Sequence, residues 1–131
     1  MPEFRVIAMD HIVLSVADVE RSLSFYTQTL GLAGERVDEF RAGKVGFPSV
    51  RINADTLIDL MLKRGEAGTG RNLDHYCLVL EPTDMQAVAD HLRTAGVTIV
   101  TEPASRWGAH GRATSVYILD PDGNQVELRC Y

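Results

Sequence analysis

The feature that most constrains the fold of this chain is a strand-like segment that occurs twice. DHIVLSV begins at Asp10 and DHYCLVL begins at Asp74, and the second residue of each copy is a histidine, His11 or His75. The two copies lie 64 residues apart, about half the length of the chain. Repetition on this scale predicts two copies of one structural unit.

The same order of elements follows each copy. In the first half a helix is predicted from the N-cap candidate Asp18 to Gly31. In the second half Thr83 and Gln86 have the spacing of a capping box, and Gly96 ends the predicted helix. Further strands are predicted at residues 33–40, 44–53, 56–63, 98–101, 112–119 and 125–130. The sequence therefore predicts an α+β fold of two βαβββ modules.

The boundaries of the modules follow from composition. A chain of 131 residues, 45% of them hydrophobic, is long enough to bury one substantial core. We expect a single domain over residues 1–131, with module one at 5–63 and module two at 74–131. The polar, glycine-rich segment 64–73 is predicted to be the linker between them.

Charge and cysteine content restrict the class of partner. A net charge of −5 and a pI near 5.3 argue against binding to nucleic acid or to an anionic membrane. The sequence has no apolar run of membrane-spanning length, and its first residues do not resemble a secretion signal. Two cysteines within strand-like segments favour a reducing cytoplasm over a disulfide framework. We expect a cytoplasmic protein whose partner is a small molecule.

The last strand of each module carries a carboxylate at a matching position. LIDLML aligns with QVELRC, and Asp59 then stands where Glu127 stands. Twofold-related modules would bring these carboxylates together with His11 and His75. Two imidazoles and two carboxylates suit a divalent Zn, Ni, Fe, Mn or Co ion. If Asp59 is too short to reach, the other three form a 2-His-1-carboxylate face with open positions.

Simpler interpretations of the same residues stay open. A histidine at the start of a strand is commonly a solvated residue, and Glu127 has the character of a charge that protects a sheet edge. Asp59 stands among apolar residues, where a carboxylate requires a partner, although it would also serve to anchor a turn.

Taken together, the segments DHIVLSV, DVERSLSFYTQTLG, LDHYCLVL and SVYILDPDGNQVEL resemble those of the vicinal oxygen chelate superfamily. That superfamily includes glyoxalase I, the fosfomycin and bleomycin resistance proteins, and the extradiol dioxygenases. The resemblance covers essentially the whole chain and implies two modules that form a cupped mixed sheet around a central metal. Its ligand positions fall on His11, Asp59, His75 and Glu127, and it implies a homodimer. Asp59 departs from the pattern, because glyoxalase-type enzymes carry a glutamate there.

A second resemblance concerns the segment Gly108 to Glu127, which fits the pattern of the extradiol ring-cleavage dioxygenases. It would assign proton transfer or oxygen handling to His110 and a hydrogen bond to the substrate to Tyr117. The Asp-Pro-x-Gly motif and the glutamate within this segment are shared across the superfamily. They therefore do not by themselves select ring cleavage.

The function that we expect is that of a metal-dependent, glyoxalase-like lyase or isomerase. Its substrate would chelate the metal through adjacent oxygens, and Glu127 or Asp59 would move a proton. The alternative is a ring-cleaving dioxygenase that uses Fe(II) or Mn(II), with His110 as acid or base. A further alternative is a non-catalytic protein that sequesters a small molecule. Asp59 favours the first function, because an iron site with two histidines and one carboxylate does not need it.

Overall fold

Each half of the chain forms one four-stranded mixed sheet. The computed structural model describes residues 7–63, 73, 75–108 and 110–131, without the side chains of residues 107 and 108. The chain divides into unit 1, Met1–Ala67, and unit 2, Gly68–Tyr131. The boundary falls within the predicted linker 64–73, of which only Leu73 is among the described residues. Residues 5, 6, 74 and 109 of the predicted modules also lie outside the described residues.

Unit 1 follows the predicted βαβββ order with one additional helix. Its elements are β1 His11–Val16, α1 Val19–Ser24 continued by a π-helical segment Phe25–Thr29, β2 Ala33–Glu35, α2 Val37–Arg41, β3 Ser49–Arg51 and β4 Leu57–Leu62. The strand order is β1-β4-β3-β2, in which β1 is parallel to β4 and the other pairs are antiparallel.

Unit 2 repeats this topology. Its elements are β5 His75–Val79, α3 Met85–Thr94, β6 Ile99–Gly108, β7 Gly111–Leu119 and β8 Gln125–Cys130. The strand order β5-β8-β7-β6 matches that of unit 1 strand for strand, and β5 is again parallel to the last strand of its unit. No helix in the described part of the chain is long and apolar enough to span a membrane.

The two faces of each sheet differ in character, because successive side chains of a strand point to opposite faces. One face carries the buried apolar residues, such as Leu14 and Leu60 in unit 1 and Val126 and Leu128 in unit 2. The alternate positions carry the chemistry-bearing residues. Asp59 and Glu127 are both buried on these second faces, at 7% and 4% exposure.

Several predicted element boundaries are wrong. The strand predicted at 33–40 ends at Glu35, because Arg36 adopts a left-handed conformation with φ of 58° and α2 follows it. The strand predicted at 44–53 is confined to Ser49–Arg51, whereas the one predicted at 98–101 extends to Gly108. The N-cap of α3 is Asp84, whose carboxylate accepts from the backbone N–H groups of residues 86 and 87, so Thr83 does not form the predicted capping box.

Candidate functional site

In unit 2 the fold brings His75 and Glu127 together. His75 begins β5 and Glu127 lies in the middle of β8, the parallel neighbour of β5. Cys77 is the register partner of Glu127. His75 stands two residues before Cys77 on the same strand, so all three side chains lie on the same face of the sheet. The His75 Nε2 atom is 3.3 Å from Glu127 Oε1. These two predicted site residues are therefore direct neighbours.

The other carboxylate oxygen of Glu127 is held by the sheet. Glu127 Oε2 accepts hydrogen bonds from Ser115 Oγ at 2.7 Å and from Arg129 Nη1 at 2.9 Å. The Arg129 side chain is 2% exposed, and its Nη2 donates to the carbonyls of Arg106 and Gly111 at 3.1 and 3.0 Å. This arginine therefore links the carboxylate to the β6–β7 hairpin. These hydrogen bonds fix the orientation of the Glu127 carboxylate, so that its Oε1 atom faces the His75 imidazole.

Tyr117 completes the unit 2 site. Its ring packs edge-on against His75, with the centroids 5.5 Å apart, and Tyr117 is the register partner of Glu127 in the β7–β8 pair. Burial raises the pKa of the Glu127 carboxyl, but hydrogen bonds from Ser115, Tyr117 and Arg129 outweigh burial and hold that pKa below its usual value. Burial and the neighbouring Glu127 raise the pKa of Tyr117. Near neutral pH Glu127 is therefore an anion and Tyr117 a hydrogen-bond donor.

Unit 1 contains the equivalent pair in the equivalent register. Asp59 of β4 is the register partner of Val13, two residues after His11. The His11 Nε2 atom is 3.8 Å from Asp59 Oδ2, a longer separation than in unit 2. Asp59 Oδ1 accepts from Ser49 Oγ at 2.6 Å, and Arg36 Nη2 lies 3.7 Å from the same oxygen. A serine therefore holds the far oxygen of the carboxylate in both units.

His11 has a second carboxylate behind it. Its Nδ1 is 2.7 Å from Asp10 Oδ2, and this hydrogen bond raises the pKa of the His11 imidazole, to which the charge of Asp59 adds. Metal-bound histidines commonly have this arrangement. One ring nitrogen donates a hydrogen bond to a carboxylate, and the other faces the metal-binding groups.

The chemistry of these donors fits a divalent transition metal, since each unit presents an imidazole nitrogen beside an oriented carboxylate oxygen. Among the described residues, no group of three or more His, Cys, Asp or Glu side chains is close enough to hold a metal ion. The four-residue ligand set His11, Asp59, His75 and Glu127 therefore stays a prediction.

His110 occupies a different part of unit 2. It lies in the β6–β7 turn, where its backbone N–H donates to the Tyr131 hydroxyl at 2.9 Å and its ring packs edge-on against Tyr131. The Tyr131 ring in turn lies 4.7 Å from the Arg129 guanidinium. Among the described residues, the contacts that connect His110 to Glu127 therefore run through two intervening side chains, Tyr131 and Arg129. A catalytic role for His110 stays a prediction.

The sequence analysis missed the residues that orient the carboxylates. Ser115 and Arg129 each stand two residues from a predicted site residue on the same strand face, so strand periodicity would have identified them. Ser49 is the register partner of Asp59, which depends on a strand pairing that the sequence placed only roughly. Arg36 carries no comparable signal, because its position follows from a backbone conformation that arginine rarely adopts.

Comparison with known proteins places these observations in a family. The profile of the Glyoxalase/Bleomycin resistance protein/Dioxygenase superfamily matches residues 8–128. The chain is 31% identical over 123 residues to virulence protein STM3117 of Salmonella typhimurium, covering 94% of this chain and 83% of that protein. It is 30% identical over 125 residues to a probable lactoylglutathione lyase of Synechocystis, covering 90% and 91% of the two chains.

Solved structures agree with this assignment. The crystal structure of STM3117 matches with a TM-score of 0.73 at 26% identity, covering 98% of this chain and 99% of the other. An integron cassette protein from the mobile metagenome of V. cholerae matches with a TM-score of 0.75 at 28% identity, covering 98% of both chains. The predicted fold class of two βαβββ modules is confirmed. The chain belongs to the glyoxalase/bleomycin resistance protein/dioxygenase superfamily.

Proposed function

We propose that this protein is a metal-dependent lyase or isomerase of the glyoxalase type. The observation that carries the proposal is the duplicated pair of imidazole and carboxylate, His11 with Asp59 and His75 with Glu127, at the same register in both units. A charge that only stabilises the sheet has no need of such a duplication. The substrate would be a small molecule that offers two adjacent oxygens.

The proposed ligands are His11, His75 and Glu127, with Asp59 as the fourth, and the ion is Zn, Ni, Co, Mn or Fe. When bound, such an ion supplies a Lewis acid that stabilises negative charge on the substrate oxygens.

The two carboxylates are suited to different tasks. Glu127 accepts from Ser115 and Arg129, which hold it in one orientation, and these two residues with Tyr117 lower the pKa of its carboxyl and so keep it ionised. For Asp59 the described hydrogen bond is the one from Ser49, with the Arg36 guanidinium beyond hydrogen-bond distance at 3.7 Å. We therefore assign the fixed anchoring role to Glu127 and the proton transfer to Asp59. Asp59 would accept a proton from a carbon beside a substrate carbonyl and return it to the adjacent carbon, so that no oxidant is consumed.

The Synechocystis relative supports a lyase, since that protein is a probable lactoylglutathione lyase. We further propose a cytoplasmic location, which the cysteine content favours, and a homodimer, which the resemblance implies. The test is turnover of lactoylglutathione by zinc-, nickel- and cobalt-loaded protein, beside the variants Asp59→Asn and Glu127→Gln. We expect Asp59→Asn to lower kcat by about 10²–10⁴-fold with the metal retained, the usual effect of losing a positioned base. Glu127→Gln should weaken metal binding as well as turnover.

A second candidate function, extradiol ring cleavage with Fe(II) or Mn(II), is favoured by one observation. Tyr117 contacts both His75 and Glu127, as a tyrosine that hydrogen-bonds a metal-bound substrate would. Aerobic assay of the iron-loaded protein with a set of catechols tests it. A ring-opened yellow product, reduced about 10²–10⁴-fold by His110→Ala with metal binding unchanged, would favour the dioxygenase over the lyase. Protein that binds no metal at all would favour sequestration.

A further inference from the structure

Arg36 lies beside the candidate-site carboxylate of unit 1, but its surroundings differ from those of Arg129, the arginine beside the carboxylate of unit 2. In each unit a guanidinium lies beside the carboxylate of the candidate site, Arg36 beside Asp59 and Arg129 beside Glu127. Arg129 is 2% exposed and donates to Glu127, Ser115 and two backbone carbonyls. It is therefore part of the framework. The Arg36 side chain is 40% exposed, so solvent and solutes reach it.

Neighbouring side chains hold the guanidinium of Arg36 in place but accept hydrogen bonds from only part of it. Its Nη2 donates to Ser49 Oγ at 2.5 Å, and its central carbon lies 5.6 Å from the centroid of the Phe47 ring, within the range of a cation–π contact. Asp59 Oδ1 is 3.7 Å away, which is too long for a direct hydrogen bond. A guanidinium has five N–H donors, and the described contacts of Arg36 use one of them.

The backbone conformation of Arg36 also indicates a functional role. Among the described residues it is the one non-glycine residue with a positive φ, at 58°. L-residues adopt this conformation at an energetic cost, and such strain is concentrated at binding and catalytic sites. The other arginines of unit 1 with described ion pairs, Arg41 and Arg51, each bond directly to a glutamate.

We propose that Arg36 binds an oxyanion group of the substrate, a carboxylate or phosphate, and so determines substrate specificity. This inference rests on the proposed function, because it places the oxyanion beside the oxygens that the metal would bind. The planar fork of an arginine matches a carboxylate or phosphate with two parallel hydrogen bonds. Ser49 and Phe47 hold the fork in place beside the Asp59 carboxylate, which accepts the transferred proton.

The test measures binding of acetate and of inorganic phosphate separately, by NMR titration of metal-free and of zinc-loaded protein. Arg36→Gly removes the guanidinium, and glycine adopts a positive φ without strain. We expect this variant to bind the anions at least about tenfold more weakly, the usual effect of losing a charge-assisted hydrogen bond, while its Tm is equal to or above that of the wild type. Arg36→Lys keeps the charge but not the fork and should restore binding only in part. Arg41→Met, which removes a surface arginine paired with Glu20, is the matched control and should bind as the wild type does.

Unchanged anion binding in Arg36→Gly, an equal loss in Arg41→Met, or no binding of either anion to the wild type would overturn the proposal. A lowered Tm of Arg36→Gly with unchanged anion binding would show that Arg36 only compensates the charge of Asp59. Because the titration also uses metal-free protein, its outcome is independent of whether the metal-site proposal holds. Metal affinity of the same variants is measured separately.

Discussion

At the scale of single residues, Glu127 shows how the sheet keeps a carboxylate charged where it is almost fully buried. A buried anion without partners is strongly destabilising. Glu127 therefore depends on Ser115, Tyr117 and Arg129, and these donors leave one of its oxygens facing His75. The same contacts that stabilise the fold thus orient a candidate ligand.

Replacing Arg129 with methionine should destabilise the protein strongly. The variant keeps the volume of the side chain but leaves the Glu127 charge buried without its cation, which in other proteins costs about 3–5 kcal/mol. Urea unfolding followed by circular dichroism measures the change in the free energy of unfolding. The control is Arg41→Met, which breaks an exposed pair with Glu20 and should change stability little. Equal stability of the two variants would show that Arg129 does not compensate Glu127.

The sequence identified the histidines and carboxylates of the two pairs better than the residues that orient the carboxylates. His11 and His75 begin equivalent strands, and Asp59 and Glu127 occupy equivalent positions in the last strands, so the internal repeat was sufficient to match them. The orienting residues Ser49 and Arg36 could not be found in this way. They reach Asp59 through strand pairing and a left-handed backbone, neither of which leaves a periodic pattern in the sequence.

At the scale of elements, strands were predicted well where apolar residues alternate and poorly where they do not. β8 has the predicted bounds, and the described ends of β1, β4, β5 and β7 differ from prediction by at most one residue. The segment 33–40 lacks a strong alternation of apolar and polar residues, and its apolar residues Val37 and Phe40 lie in helix α2 instead of a strand. β6 continues past Pro103 with register shifts, since its pairing with β7 maintains it where local sequence would not.

The N-terminus of α3 offers a direct test of the corrected cap. Asp84→Ala removes the carboxylate that accepts from the N–H groups of Gln86 and Ala87, so it should cost about 1 kcal/mol of stability. Thr83→Ala, one residue earlier, is the matched control and should have a much smaller effect. Thermal unfolding of both variants provides the comparison. A larger loss in Thr83→Ala than in Asp84→Ala would restore the capping box that the sequence predicted.

At the scale of the whole molecule, the chain consists of two units of the same topology, each with one imidazole–carboxylate pair. β1 and β5 are each an edge strand of their own sheet. Each carries an exposed apolar residue, Val13 in β1 and Val79 in β5. Edge strands of this kind are commonly paired or covered in native proteins.

We expect the protein to form a homodimer, which the family resemblance also implies. Light scattering coupled to size-exclusion chromatography, run over a range of concentrations, measures the mass in solution. The expected result is a mass twice that of the 14.4 kDa chain. A monomer mass that does not change with concentration would contradict this expectation.

The central claim is that the duplicated pairs bind a divalent metal, and metal analysis of the purified protein tests it most directly. The protein is prepared without added metal or chelator, and the bound metal is measured by plasma mass spectrometry in the wild type and in His75→Ala and His91→Ala. His91 is an exposed histidine on α3 in the same unit and serves as the control. We predict one divalent ion per site in the wild type and in His91→Ala, with the ion lost or its affinity lowered more than about tenfold in His75→Ala. Full occupancy and unchanged affinity in His75→Ala would contradict the account.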